Sequence, residues 1–305
     1  MTGLEAGPRD QLELWLEESR LWADGALERS LGEVRGAPEQ LLAAMRHCLL
    51  AGGKRLRPTL VRVFAEAAGG GLDCAWRPAV AIEMVHTYSL VHDDLPCMDD
   101  DDMRRGRATV HKQWDEATAV LAGDALLTEA FSVLSGHPQA GELTSVLASA
   151  SGASGMVGGQ ILDLTVSLSG GGAPDAEGEW ASVEEIHRLK TASLFAASCE
   201  MGWVAAGGAQ ESRGPAGDFG RSLGHLFQAT DDLIDVTGSA DGLGKTPGKD
   251  AALSRPTLVA ALGLDGASKR AAEFGDMARA AAVEFGFSEG HPAFDLVSLL
   301  LTRVR

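Results

Sequence analysis

The sequence predicts an all-α fold, and three observations carry that prediction. Apolar residues recur at helical spacing through most of the 305 residues. No stretch shows the strict alternation of a half-buried strand. Glycine and proline fall between the periodic stretches, where helices start and stop.

Hydrophobic residues make up 45% and charged residues 23%, an ordinary globular balance with enough apolar side chains for a core. With no linker and no internal repeat, residues 1–305 are expected to form one domain. The net charge of −17 speaks against nucleic acid as a partner, because phosphate backbones are neutralised by clustered Lys and Arg. An anionic substrate would need metal or a local basic patch, and the sequence offers both. Cys48, Cys74, Cys97 and Cys199 form no C-x-x-C pair, so neither a zinc site nor a disulfide framework is expected, and reduced thiols in the cytoplasm are the simplest reading. The N-terminus is acidic and helix-patterned, unlike a secretory signal, and no apolar run approaches the length of a membrane span.

The elements follow in order. From about Asp10 to Leu31, the residues Leu12, Trp15, Leu16, Trp22 and Leu27 share one helical face. Pro38 opens a second helix that runs to the Gly52-Gly53 break. GGKRLRPTL comes next. A lone basic tripeptide is ordinarily a solvated turn, but here the glycines let the backbone approach a ligand, and Lys54, Arg55 and Arg57 emerge at a helix start, where anions are favoured. From Pro78, AVAIEMVHTYSLVHDDL is apolar on more than one face, as a buried helix is, and it ends in an acidic cluster. TAVLAGDALLTEAFSVL is a further buried helix that stops near Gly136. The small residues of GMVGGQILDL allow close helix approach, with Gln160 and Asp163 turned inward. Residues 169–179 read as a surface loop, lacking the strand and lysine of a phosphate cradle. Helix resumes from Glu184 to Gly202, with Lys190 and Thr191 near its middle, and an Asp218 to Val236 helix carries a second acidic cluster. A loop with Lys245, Lys249 and Arg255 precedes further helix.

The first cluster places six aspartates, Asp93, Asp94 and Asp99 to Asp102, within ten residues, with Arg104 and Arg105 just after. Neighbouring carboxylates repel, so a divalent cation is the obvious offset. Asp93 and Asp99 are about 120° out of register on an ideal helix, and Pro96 between them can distort the turn enough to return Asp99 toward Asp93. In the second cluster, Asp231 and Asp235 are one turn apart and point the same way. An EF-hand calcium loop counted from Asp93 fails, because Met98 stands where glycine belongs and Arg104 where glutamate belongs.

Lys54 to Arg57 after a glycine pair, His86, DDLPCMD with Arg104 and Arg105, Lys190-Thr191, and Phe227-Gln228 with DDLID occur in the order and spacing of the trans-prenyl diphosphate synthases. The sequence resembles the bacterial farnesyl diphosphate synthases of that family most closely, strongly over about residues 40 to 260. The resemblance implies an all-α isoprenoid-synthase bundle around a deep central cavity, with the two aspartate motifs facing each other across its mouth, and a cytoplasmic homodimer. Isopentenyl diphosphate and an allylic diphosphate would be the substrates, joined head to tail after magnesium-assisted ionisation. Three magnesium ions are implied, two through Asp93 and Asp99 and one through Asp231, with Asp94, Asp232 and Asp235 ligating or supporting through water. Arg104, Lys190, Thr191, Gln228, Lys245 and Arg255 would serve the allylic diphosphate, and Lys54, Arg57, His86 and Arg105 would hold isopentenyl diphosphate without metal.

A histidine on its own is more often a satisfied core residue than a ligand, but His86 lies seven residues before Asp93 on nearly the same helical face. Tyr88, with Ser89 beside it, lies about 7.5 Å down the helix from the metals and would form the floor that stops elongation at fifteen carbons, unless it only packs against a neighbouring helix. Two features depart from the family pattern. Arg255 replaces a lysine, and the terminal TRVR only loosely matches the usual basic pair. Three alternatives stay open. One is a geranylgeranyl diphosphate synthase. Another is a class I terpene cyclase, which would lack the Lys54 to Arg57 site. The third is a non-catalytic partner subunit, a kind that commonly loses an aspartate motif.

Overall fold

Runs rich in alanine, leucine and other strong helix formers become helices throughout the chain. The computed structural model describes residues 8–168, 183–238 and 256–302. Its helices are α1 (Pro8–Glu33), α2 (Glu39–Leu49), α3 (Leu56–Ala67), α4 (Leu72–Asp93), α5 (Val110–Gln113), α6 (Glu116–Ser135), α7 (Ala140–Ser151) and α8 (Met156–Leu168). A π-helical turn (His187–Ala192) leads into α9 (Ser193–Ala205), followed by α10 (Gln210–Thr237), α11 (Leu258–Glu284) and α12 (Pro292–Thr302). The all-α expectation is met. By internal packing the chain falls into two compact units, residues 1–144 with 201–208, and residues 145–200 with 209–305.

In the first unit α4 is the central element, packed against α3, α6, α1 and α2. It starts at Leu72, earlier than the expected Pro78, because the proline is accommodated inside the helix. Proline has no N–H for the carbonyl four residues back, that of Cys74. His137 Nε2 lies 3.2 Å from this oxygen and takes the place of the missing donor. Asp115 caps α6 by accepting from the Thr118 backbone N–H at 2.6 Å. Gly123 lets α6 close on α4, since a Cβ there would lie 2.1 Å from His92 Nε2. The C-terminal end of α4 is seated in a cluster of Ala44, Val91, Leu95, Val110, Ala119 and Ala122.

Arg55 holds the start of α3. Its side chain is fully buried, with Nε 2.8 Å from Asp24, Nη1 2.7 Å from Glu83 and Nη2 2.7 Å from the Leu49 carbonyl. The basic tripeptide is therefore divided: Arg55 is spent on the fold, while Lys54 is exposed and Arg57 half-buried.

Two expectations need correction in this unit. Strands were not anticipated, yet Met103–Arg104 pairs antiparallel with Arg107–Ala108. Two-residue strands are too short to show alternation. Arg105 and Gly106 both take positive φ, 51° and 75°, the conformation of a type I′ hairpin turn. The sequence also leads one to expect no apolar run long enough to span a membrane, but α6 passes on length and composition. It buries Ala119, Ala122, Gly123, Leu126, Ala130 and Leu134 in the unit and carries Asp124 and Glu129, as an alanine-rich core helix does.

In the second unit α10 and α11 form the principal helix pair, and α10 also packs against the π-turn and α12. Helix α10 begins eight residues before the expected Asp218 and accommodates Pro215 in its second turn, at the cost of one backbone bond to the Glu211 carbonyl. On α10, Gly220 and Gly224 face the backbones of Phe195 and Ala192, each at a distance no Cβ would allow. Gly159 of α8 approaches the Lys190 backbone in the same way. This close packing accompanies the second revision. Lys190 and Thr191, expected in a regular α-helix, lie in a π-turn, a distortion that recurs at functional sites.

Candidate active site

The first aspartate cluster is built by the ending of α4. Pro96 has no N–H to continue the helix, and the chain wraps back over the helix end instead. Asp99 N–H donates to the Asp93 carbonyl at 2.8 Å, Asp100 N–H to that of Leu95 at 3.1 Å, and Asp101 N–H to that of Asp94 at 3.1 Å. The wrap returns Asp99 to Asp93, removing the register error of an ideal helix. Asp93 is half-buried and Asp99 buried. Their all-oxygen donor set suits a hard cation such as magnesium, which needs only one or two carboxylates alongside phosphate oxygens.

Asp94 faces elsewhere. It is 3% exposed and accepts from Arg104 Nε at 2.6 Å, while Arg104 Nη2 reaches Asp101 at 3.2 Å. Asp100 and Asp102 lie with His111, their ligand atoms all within 4.8 Å of one another, and Lys112 Nζ holds Asp102 at 2.9 Å.

The hairpin sends its two adjacent arginines to different partners. Arg104 turns to Asp94, and Arg105 donates through Nη1 to the Gly52 carbonyl at 2.6 Å. The guanidinium lies against Gly53, where a Cβ would be 2.8 Å from Cζ. The glycine pair and the arginine pair, 53 residues apart, thus meet. His86 completes this basic neighbourhood. Burial, and then the charges of Arg57, Arg105, Arg104 and Arg55, hold its pKa well below the ordinary histidine value. A neutral imidazole among cations offers an N–H donor without adding charge.

Tyr88 is 7% exposed and stands edge-on to His92, ring centroids 5.7 Å apart. Burial, then the Asp93 charge, raises its pKa. His92 is anchored to α6 through Nε2, 3.1 Å from the Val120 carbonyl, so the tyrosine packs on a fixed ring. Ser89 Oγ donates to the His86 carbonyl at 2.9 Å.

In the second unit, Asp231 and Asp235 are half-buried on one face of α10, as the four-residue spacing requires. Lys190 Nζ lies 2.6 Å from Asp163 Oδ2, so Asp163 holds the lysine. Thr191 Oγ1 donates to Gln228 Oε1 at 2.9 Å, and Gln228 Nε2 donates to Asp232 Oδ1 at 3.0 Å. The buried Asp232 also accepts from Leu258 N–H at 2.8 Å and contacts His187 Nε2 at 3.5 Å. Lys245, Lys249 and Arg255 lie outside the described residues.

Some participants escaped the sequence reading. The part of Asp163 as the partner of Lys190 and that of His187 beside Asp232 depend on helices brought together by folding, and no local spacing signals them. His225 is another. Its ring stacks on Phe274 at 4.9 Å, and burial, followed by the charges of His187, Arg270, Arg221 and Arg188, lowers its pKa to about 4. Because this is below the unfolded value of about 6.5, the group's contribution to stability is complete above pH 6.5 and is lost as pH falls toward 4. We expect it to cost about 2 kcal/mol between pH 7 and pH 5. Denaturant melts at the two pH values should show a smaller loss for His225→Leu than for the wild type; equal losses would remove His225 as the cause.

Comparison with known proteins gives a consistent result. The family model described as polyprenyl synthetase matches residues 38–283. Farnesyl diphosphate synthase of Escherichia coli K12 is 42% identical over 268 residues, 84% of this chain and 86% of its own. The chloroplastic geranylgeranyl pyrophosphate synthase of Capsicum annuum is 38% identical over 297 residues, 95% of this chain and 78% of its own. Among solved structures, an apo FPP/GFPP synthase from Zymomonas mobilis superposes with a TM-score of 0.81 at 35% identity, covering 95% of this chain and 99% of that one.

Proposed function

Because this chain belongs to the polyprenyl synthetase family, we propose that it condenses isopentenyl diphosphate with an allylic diphosphate, dimethylallyl or geranyl, and makes farnesyl diphosphate. It is a prenyltransferase of isoprenoid biosynthesis. The observation that carries the reading is the basic neighbourhood of Arg57, His86 and Arg105, formed in addition to the Asp93 and Asp99 carboxylates. A terpene cyclase needs a site for only one diphosphate. A non-catalytic subunit has no use for both aspartate motifs.

The residues divide the work as follows. Asp93, Asp99 and Asp231 would hold three magnesium ions against the allylic diphosphate, with Asp235 supporting them and Asp94 acting through Arg104. Bound there, magnesium would supply neutralising charge to the departing diphosphate. Arg104 and Lys190 add fixed positive charge to the same group, kept in place by Asp94 and Asp163. Lys54, Arg57, His86 and Arg105 grip the diphosphate of isopentenyl diphosphate, which lines up its double bond for attack on the allylic carbon. Thr191 and Gln228 turn oxygen toward the cation that forms when the C–O bond breaks. After the new C–C bond forms, the released diphosphate takes the proton, so no side-chain base is required. Lys245 and Arg255, outside the described residues, would serve the same diphosphate.

Tyr88, with Ser89 beside it, is the floor of the elongation pocket. Its burial and its fixed neighbour His92 support that role, since a ring that cannot yield blocks a growing chain. Tyr88→Ala is expected to shift the main product from fifteen to twenty or more carbons, read by chromatography of the dephosphorylated prenols. An unchanged length profile would mean that another residue sets the limit.

The exposed Val120 and Leu121 on α6, 41% and 59% accessible, support a homodimer joined along that helix. Four free thiols support a reducing cytoplasm. Incubation with magnesium, labelled isopentenyl diphosphate and each allylic diphosphate in turn tests the proposal. A longer prenyl diphosphate is expected, whereas a hydrocarbon product or none at all would refute it. Sedimentation of the same sample should give twice the chain mass, and a monomer would remove the dimer.

A further inference from the structure

One carboxylate of the second motif behaves unlike its neighbours. Asp231 and Asp235 are half-buried, whereas Asp232 is 3% exposed and turned into the unit. Among the described residues its oxygens meet Gln228 Nε2 at 3.0 Å on Oδ1, and Leu258 N–H at 2.8 Å and His187 Nε2 at 3.5 Å on Oδ2. Leu258 opens a short helical segment that is interrupted at Gly263, where φ is 69°, so the carboxylate ties down a single turn at the start of α11. Binding a cation through Asp232 would weaken its hold on the half-buried Gln228 amide and on the buried backbone N–H of Leu258.

We propose that Asp232 and His187 are positioning residues that fix the direction of the Thr191 hydroxyl, and that Asp232 is not a metal ligand. The inference rests on the prenyl-transfer reading above. An ionised carboxylate only accepts hydrogen bonds, so Gln228 must offer Asp232 its NH2 group and keep its carbonyl for Thr191. The Thr191 hydroxyl then donates to that carbonyl at 2.9 Å. Its proton is committed and its lone pairs are left for a positive charge. With the amide reversed, Thr191 would accept from Gln228 and point its proton outward, the wrong end of the dipole for a forming cation. His187 packs against the carboxylate from the π-turn that carries Thr191, and so keeps Asp232 in register with it.

Asparagine at 232 presents an NH2 group to one of the two donors and drives the amide toward the reversed state. Asp232→Asn is expected to bind magnesium with inorganic diphosphate within twofold of wild type by calorimetry. It should also lose kcat about 10- to 100-fold with KM for the allylic diphosphate little changed. Gln228→Leu should lose kcat to a similar degree, and the double variant should be no slower than the worse single one. A tenfold or greater loss of magnesium affinity in Asp232→Asn would make it a ligand and overturn the proposal, as would kcat losses that multiply. Should Asp232→Asn not fold, as judged by circular dichroism, His187→Gln paired with Gln228→Leu gives the same comparison: non-multiplying losses uphold the relay and multiplying ones overturn it. A wild-type enzyme without turnover would defeat the prenyl-transfer reading instead, and calorimetry would still decide whether Asp232 ligates.

Discussion

Asp93→Asn is expected to lower kcat by about a thousandfold with the fold intact. Asparagine keeps the shape of aspartate and the backbone wrap that returns Asp99 to Asp93, but it removes the charge that would hold a cation on the leaving diphosphate. Each preorganised charge on a developing anion is worth about 10²- to 10³-fold, and loss of a carboxylate that recruits the metal lies at the upper end. Asp100→Asn is the matched comparison. Asp100 stands in the same acidic run, takes a positive φ of 49° that asparagine tolerates, and has no part in the proposed reaction. Steady-state rates should separate the two variants by at least two orders of magnitude. Equal losses would show that only the total charge of the run matters.

Glu83→Ala is expected to destabilise the protein by about 3–5 kcal/mol. Glu83 is 2% exposed, and its Oε1 is 2.7 Å from an Arg55 side chain with no solvent access. Removing it strands much of a buried guanidinium charge, for which Asp24 at 2.8 Å and the Leu49 carbonyl compensate only in part. Desolvation is the larger cost, so removing both partners should be milder than removing one: Arg55→Met with Glu83→Met should recover most of the loss. Chemical denaturation of the three proteins measures this directly. A single variant within 1 kcal/mol of wild type would mean that the pair contributes little.

The two outcomes bear on how far a sequence can be read. The pairing of Asp231 with Asp235 was legible, because four residues make one turn of any helix. The return of Asp99 to Asp93 was legible in outline, since proline must interrupt the helix bonds there. The division of the basic tripeptide was not. Lys54, Arg55 and Arg57 look alike in sequence, and only the buried Glu83 and the half-buried Asp24 beside Arg55 make it a structural ion, while Lys54 is exposed and Arg57 half-buried. The hairpin at Arg105 and Gly106 was missed because two residues per strand carry no period. The early start of α4 was missed because the donor that compensates Pro78 comes from His137, 59 positions further along the chain.

The sequence by itself determined the all-α class, the extent of most helices, the aspartate pairs that share a helix face, and the family. Each follows from periodicity or from motifs whose spacing is fixed by backbone geometry. Tertiary structure alone decided which charges are spent on the fold and which are left for ligands. It paired Lys190 with Asp163 and Arg104 with Asp94, and it joined Asp232 to Gln228 and the start of α11. Those choices depend on burial and on contacts between helices distant in sequence, where a charge must find a partner or remain in water.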